Sequence, residues 1–243
     1  MLLRRLRMPL PPTHRTCRCG QLIDSLGDHR TACPRAGVLG RREAAPTRIC
    51  REAGARVVTN CFMRDMNLAF PPNDGRCLEV VANNLPLWNG AQLAIDTTMV
   101  SPLRANGQAI PIAHEQDGIA LNRARRRKER TYPELLERNG RVRLVVLGIE
   151  TGGRWMSEDI DFIRQLAKAK VRDVPLALKM SAELSWTRRW INCMACATQR
   201  ALALSLLELP LEQGHNLDGH EPFLADLLCD NRFEETPTFS RSH

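Results

Sequence analysis

The sequence has few aromatic residues and no long apolar run. Aromatic residues make up 5% of the 243, with six phenylalanines and a single tyrosine, too few for a surface of rings on which single-stranded nucleic acid stacks. The apolar stretches fall far short of the roughly 20 residues that cross a bilayer. The opening Met-Leu-Leu-Arg-Arg lacks the apolar run of a secretory signal. We therefore expect an intracellular protein with no membrane partner.

Cysteine occurs in a pattern that disfavours disulfides. The nine cysteines are an odd number, scattered through a chain large enough to fold without covalent cross-links. We expect most of them to be small buried side chains in a reducing compartment. A closely spaced group between positions 17 and 33 is the exception.

Lysine is scarce, and arginine carries the positive charge. Four of the 35 cationic residues are lysine and 31 are arginine, against 27 acids. Guanidinium groups bind phosphate through two parallel hydrogen bonds and stay charged at any biological pH, so a net charge of +8 favours a nucleic-acid partner. A solvated helix face, or arginine bias in the coding sequence, is the alternative interpretation. The candidate contacts lie in one predicted helix at 117–136 and are Arg123, Arg125, Arg126, Arg127, Lys128 and Arg130.

Composition and hydrophobic pattern divide the chain into five segments. Helix and strand signals follow one another in the order helix, three strands, helix, strand and two long helices. This succession predicts an α/β fold with a mixed sheet. The segments are a basic tail or linker at 1–16, a Cys/His knuckle at 17–36, an α/β core at 40–155, a helical appendage at 156–208 and an acidic tail at 209–243.

The Cys/His segment is a candidate zinc site. Zinc takes four thiolate or imidazole ligands, and metal binding supplies the folding free energy that a segment this short cannot gain from burial. The one-residue gap between the first two cysteines is tighter than usual, and His14 is an alternative ligand. Reduced surface cysteines beside an unrelated histidine are the other interpretation. The candidate ligands are Cys17, Cys19, His29 and Cys33.

Three carboxylates lie in or just after predicted strands. Asp96 is on the strand 92–100 and Glu79 on the strand 77–82, both among apolar neighbours. A carboxylate in a half-buried strand is costly unless it is paired or binds a cation, and Mg²⁺ or Mn²⁺ prefers such oxygens. Glu150 follows the apolar strand that ends at Ile149, and the carboxyl ends of strands often form sites in α/β sheets. Structural pairing of each acid, for example with an arginine, is the alternative.

Several motifs together resemble a known family. The chain from about 17 to 208 resembles the C-terminal region of non-LTR retrotransposon polyproteins, in which a CCHC knuckle and a restriction-like endonuclease follow a reverse transcriptase. The motifs that carry the resemblance are Cys17-Arg-Cys19-Gly20 with Gly27-Asp28-His29 and Cys33, Leu93-Ala-Ile-Asp96-Thr-Thr-Met-Val, Lys128-Glu-Arg-Thr-Tyr132 and Ile149-Glu150-Thr-Gly-Gly.

The resemblance implies a fold and a set of catalytic residues. It implies a restriction-endonuclease-like sheet of the PD-(D/E)xK class, with elements in the order αβββαβ. The first acid falls on Glu79, because the family's Pro-Asp is here Leu78-Glu79, and the second acid falls on Asp96. Thr98 stands where the family has lysine, so the resemblance assigns the cationic role to Lys128. It adds Glu150 as a further acid.

The resemblance also implies an activity. The domain would use Mg²⁺ or Mn²⁺ to nick target DNA in the nucleus, and the freed 3′ end would prime reverse transcription. A structural zinc in the knuckle would help to hold DNA or RNA, and the chain would be part of a longer polyprotein with a reverse transcriptase. The departures from the family pattern leave a second hypothesis open, in which a degenerate copy binds nucleic acid without cleaving it.

Overall fold

The computed structural model describes residues 44–207, apart from 67, 105–107 and 137–139, together with positions 16, 17, 20, 23, 25, 27 and 29. The two proposed zinc ligands Cys19 and Cys33 lie outside the described residues, as do the acidic tail at 209–243 and all of the basic tail except Thr16.

The helices and strands follow one another in the order that the hydrophobic pattern predicts. The order of elements is helix, three strands, helix, strand and two helices. Their bounds are α1 (Ala44–Glu52), β1 (Arg56–Phe62), β2 (Cys77–Asn83), β3 (Gln92–Val100), α2 (Ile119–Thr131), β4 (Val142–Glu150), α3 (Ser157–Lys170) and α4 (Leu176–Leu207).

The four strands form one mixed sheet in the order β1-β2-β3-β4. Strands β1 and β2 are antiparallel, and so are β2 and β3, as the short connections between them allow. Strand β4 lies parallel to β3, because α2 provides the long crossover that a parallel pair requires. The predicted α/β class with a mixed sheet is therefore confirmed.

Both faces of the sheet are covered. On one face Ile95 and other strand residues pack with side chains of α1, α3 and α4, including Phe162 and Trp190. On the other face Ala94 and Val81 pack with Tyr132 and Leu135, which follow α2. Residues that alternate along β3 therefore belong to different cores, as the twofold periodicity of a strand requires.

A buried carboxylate joins α1 to α4. Glu52 at the end of α1 accepts hydrogen bonds from Arg189 and from the indole nitrogen of Trp190, at 2.7 to 3.1 Å. Arg48, one turn earlier in α1, also donates to it at 2.9 Å. These donors satisfy a charge that would otherwise be costly to bury, and they fix α4 against α1.

The outer edge of β4 is closed by the segment that follows it. Ile149 forms a bridge with Trp155, and the backbone N–H of Gly148 donates to Oδ2 of Asp159 at 2.8 Å. Asp159 lies in the first turn of α3, where a carboxylate is favoured by the helix dipole. These contacts satisfy polar groups of an edge strand that would otherwise be open to pairing with another chain.

The predicted boundaries of the elements agree closely with the structure. Strand β3 has the limits expected from the sequence, and β2 extends the predicted run by one residue, whereas α2 ends at Thr131, before the predicted helix end at 136. Among the described residues, no helix combines the length and apolar character that a membrane span requires.

Candidate functional site

Strands β2 and β3 separate where the two predicted acids lie. Backbone pairing between these strands includes Val80 with Ile95 and continues toward Ala82. Glu79 and Asp96 are the next residues beyond the pair of Val80 and Ile95, so the same register places them opposite each other. Strand β3 stays paired with β4 over this stretch and as far as Val100. The two acids therefore lie at an opening between β2 and β3.

The carboxylate of Glu79 occupies this opening. Its Oε2 accepts a hydrogen bond from the backbone N–H of Thr97 at 3.0 Å and another from the Thr97 hydroxyl. The side chain therefore takes the place of a β2 carbonyl as the partner of Thr97. This is the physical reason why an acid is tolerated at this point in the sheet.

Asp96 is buried and paired with a lysine. Its side chain is 2% exposed, and its Oδ2 lies 2.7 Å from Nζ of Lys128 on α2. Lys128 is 28% exposed, so its ammonium group reaches the carboxylate from the solvent side. The structure therefore joins Asp96 and Lys128 directly, and the strand register places Glu79 on the neighbouring strand opposite Asp96.

Tyr132, one helical turn after Lys128, completes the wall of the opening. Its hydroxyl donates to the backbone carbonyl oxygen of Cys77 at 2.9 Å. Burial and the nearby Asp96 carboxylate raise the pKa of Tyr132 above its usual value, and Cys77 and Glu79 act in the same direction. The neutral phenol is therefore held beside both acids, a placement that the sequence indicated only through the four-residue spacing from Lys128.

Thr98, which occupies the expected lysine position, leaves the cationic role to another element. It follows Asp96 on the same face of β3 by alternation, and it pairs in register with Gly148. Lys128 instead approaches that face from α2. The positively charged side chain beside Asp96 therefore comes from α2 and not from β3, where the motif places it.

Glu150 lies apart from this group. Asp96 pairs in register with Val146, and Glu150 pairs with Val100, so four residues, or about 13 Å of strand, separate Glu150 from Asp96. Burial raises the pKa of Glu150 above its usual value, although Arg154 opposes this effect. Glu150 and Asp96 are therefore too distant to share one cation.

The basic helix carries two kinds of arginine. Arg125 is engaged within the protein, with 2.9 Å to Glu129 and 2.6 Å to Glu158 on α3. Lys128 is engaged with Asp96. Four others are exposed along α2 and form what we call the arginine face: Arg123, Arg126, Arg127 and Arg130.

The structure describes only half of the predicted zinc ligands. Cys17 is buried and His29 is partly buried, and their proposed partners lie outside the described residues. Within the described positions, no group of three or more histidine, cysteine, aspartate or glutamate side chains lies close enough to hold a metal ion. Glu79 and Asp96 are only two residues, so they do not meet this criterion of three.

No family model matches the chain, and comparison with curated proteins gives no match. The residues of the site are therefore the basis for a proposed function.

Proposed function

We propose that the chain is a metal-dependent DNA endonuclease domain. The observation that supports this most is the placement of Glu79 and Asp96 across an opening between two strands, with Lys128 at 2.7 Å from Asp96. In a metal-dependent nuclease, two carboxylates can hold the cation and an amine can orient the water that attacks the phosphodiester. The αβββαβ order of elements and the sequence resemblance favour a restriction-endonuclease-like fold.

The donor set fits a hard divalent cation. Carboxylate oxygens are the ligands that Mg²⁺ and Mn²⁺ prefer, usually completed by water or phosphate oxygen. Glu79 and Asp96 would hold the ion, which would polarise the phosphodiester and lower the pKa of a bound water. No second acid lies beside either carboxylate on its own strand. The adjacent pair in the sheet is Val80 with Ile95.

Lys128 supplies a positive charge from within the protein. In the structure it neutralises Asp96. With a cation on that carboxylate, the ammonium group would be available to orient the attacking water or to stabilise charge on the phosphate, as electrostatic catalysis requires. Tyr132 is buried and close enough to Asp96 for the carboxylate to raise its pKa, so an apolar ring lies near that acid.

The arginine face would hold the DNA backbone. Its four exposed side chains lie on the same helix as Lys128, so phosphate contacts made along α2 would set the position of the strand to be cut. Such contacts carry affinity without sequence information. A zinc knuckle at 17–36, a reverse transcriptase on the same polyprotein and action in the nucleus are the remaining parts of the proposal.

A second function is favoured by one observation, the threonine at position 98 in place of the expected lysine. A degenerate copy would retain the arginine face and bind DNA or RNA without cleavage. The two functions are separated by measuring both binding and nicking of supercoiled plasmid with Mg²⁺ or Mn²⁺. The endonuclease proposal requires that the wild type binds and nicks, and that Asp96→Ala binds but does not nick. Equal binding with nicking by neither protein would establish the binding module.

A further inference from the structure

Thr97 is a polar residue in an otherwise apolar row. Alternation along β3 places it on the face that carries Leu93 and Ile95, which are fully buried in the core. Its own exposure is 5%, and it lines a small apolar cavity with Ala45 and Leu147. A hydroxyl in such a position is costly unless it has a partner, and its partner is the acid on the neighbouring strand.

Both donors of Thr97 act on the same oxygen atom. The backbone N–H lies 3.0 Å from Oε2 of Glu79, and the side-chain hydroxyl donates to that same atom. One hydrogen bond would leave the carboxylate able to swing about the contact. Two donors from a single rigid residue fix the oxygen in space, because the backbone and the β-branched side chain of a strand threonine have little freedom.

Glutamate needs such a restraint more than aspartate does. Its side chain has one more rotatable bond, and each immobilised bond of this kind costs conformational entropy when a ligand binds. A carboxylate already held in place has met that cost during folding. A cation that binds the Glu79 carboxylate would then find it already held in place.

We propose that Thr97 is a positioning residue that fixes the Glu79 carboxylate for the divalent cation. This inference deepens the proposed function and depends on it. Thr97 contacts Glu79 and not the cation, so its effect is on metal affinity. The nicking rate at saturating metal should be little changed.

The test uses the full chain and Mn²⁺ as the probe. Thr97→Val keeps the shape and removes the hydroxyl, whereas Thr97→Ser keeps the hydroxyl and removes a buried methyl group. Mn²⁺ affinity is measured by calorimetry, and a thermal melt of each variant establishes that it is folded. We expect Thr97→Val to weaken Mn²⁺ binding about fivefold, the effect of one hydrogen bond, and Thr97→Ser to stay within about twofold of wild type.

Nicking measured against Mn²⁺ concentration gives a second readout. The half-saturating concentration should rise in Thr97→Val while the maximal rate stays within about twofold. If Glu79→Gln loses Mn²⁺ binding but Thr97→Val binds as wild type does, Thr97 has only a structural role and the inference is wrong. If wild type and Glu79→Gln show the same Mn²⁺ binding, the cation site itself is wrong and the inference fails with it.

Discussion

Nζ of Lys128 lies 2.7 Å from Oδ2 of Asp96, joining the basic helix to the centre of the sheet. Asp96 is almost completely buried, and Lys128 is the oppositely charged partner of its carboxylate. Removing one member of such a pair leaves an uncompensated charge, which costs more than the pair itself contributes.

Lys128→Met should therefore destabilise the protein. We expect a loss of about 1 to 3 kcal/mol in the free energy of unfolding, at the lower end for buried pairs because Lys128 is partly exposed. Denaturant unfolding measures it, with Arg126→Met as the matched control on the exposed side of the same helix. The double variant Asp96→Asn with Lys128→Met should recover part of the loss. If Lys128→Met and Arg126→Met are equally stable, the ion pair of Lys128 with Asp96 does not stabilise the fold.

Asp159 gives the fold a dependence on pH. It is 1% exposed; burial raises its pKa to about 7, against the opposing hydrogen bond from Gly148. Its other oxygen, Oδ1, has no hydrogen-bond partner among the described residues. Because the folded pKa is above the unfolded one, protonation favours the folded state, and the stabilisation declines as pH rises from about 4 through about 7.

Asp159→Asn should remove this dependence. An asparagine can still accept from Gly148 and has no charge to bury, so it should be more stable than wild type at pH 8 by on the order of 2 to 4 kcal/mol. At pH 4 the two proteins should differ little. The control is Asp161→Asn, an exposed acid on the same helix that pairs with Arg164. Parallel stability curves for wild type and Asp159→Asn between pH 4 and 8 would contradict the assignment.

Glu52 should be a point of high sensitivity for the packing of α4. Burial works to raise its pKa, but hydrogen bonds from Arg189, Arg48 and Trp190 hold the pKa below its usual value. Glu52→Ala removes the acceptor for all three donors and should cost about 3 kcal/mol in the free energy of unfolding.

Thermal and denaturant unfolding of Glu52→Ala measure this cost. Glu183→Ala, on the less buried side of α4, is the control and should change stability by less than about 0.5 kcal/mol. A loss of similar size in both variants would show that Glu52 has no special role.

The arginine face should account for the salt dependence of DNA binding. Replacing Arg126 and Arg127 with alanine should reduce the slope of log affinity against log salt by about 2, since each phosphate contact contributes about one. Fluorescence anisotropy with duplex DNA measures it. Arg164→Ala on α3, on the opposite face of the sheet, is the control. An unchanged slope in the α2 double variant would place the DNA elsewhere.

Arg125→Ala should behave differently from its neighbours. Its guanidinium is already paired with Glu129 and Glu158. Arg125→Ala should therefore lower the free energy of unfolding more than Arg126→Ala does, and reduce the salt slope of DNA binding less. Comparing unfolding and DNA binding for Arg125→Ala and Arg126→Ala separates the two roles. Equal effects of both variants on both measurements would contradict the division of the helix.

The sequence was sufficient to predict the elements, because strands and helices differ in the period of their apolar residues. Alternation also predicted that the Asp96 side chain lies on the opposite face of β3 from Ile95 and Thr97, as observed. Whole-sheet register was harder: Glu150 is at a strand end as predicted, yet it is four residues beyond the neighbour of Asp96. Periodicity gives the face of a residue, but its position along the sheet depends on how two strands pair.

Contacts between distant side chains could not be predicted from pattern. Nothing in the spacing of residues shows that Thr97 donates to Glu79, or that Arg125 is paired with Glu158 across two helices. These contacts depend on the packing distance and direction of whole elements. The choice of Lys128 depends on the resemblance and stays a prediction, while the structure shows that its ammonium group contacts Asp96.

The proposed function requires that Glu79 and Asp96 form a cation site for DNA cleavage. The most direct measurement is nicking of supercoiled plasmid by the full chain with Mg²⁺, comparing wild type with Asp96→Asn and Asp161→Asn. We expect Mg²⁺-dependent nicks that DNA ligase can reseal from wild type and Asp161→Asn, and a loss of nicking of at least about 100-fold in Asp96→Asn. No nicking by wild type, or equal nicking by Asp96→Asn, would contradict it.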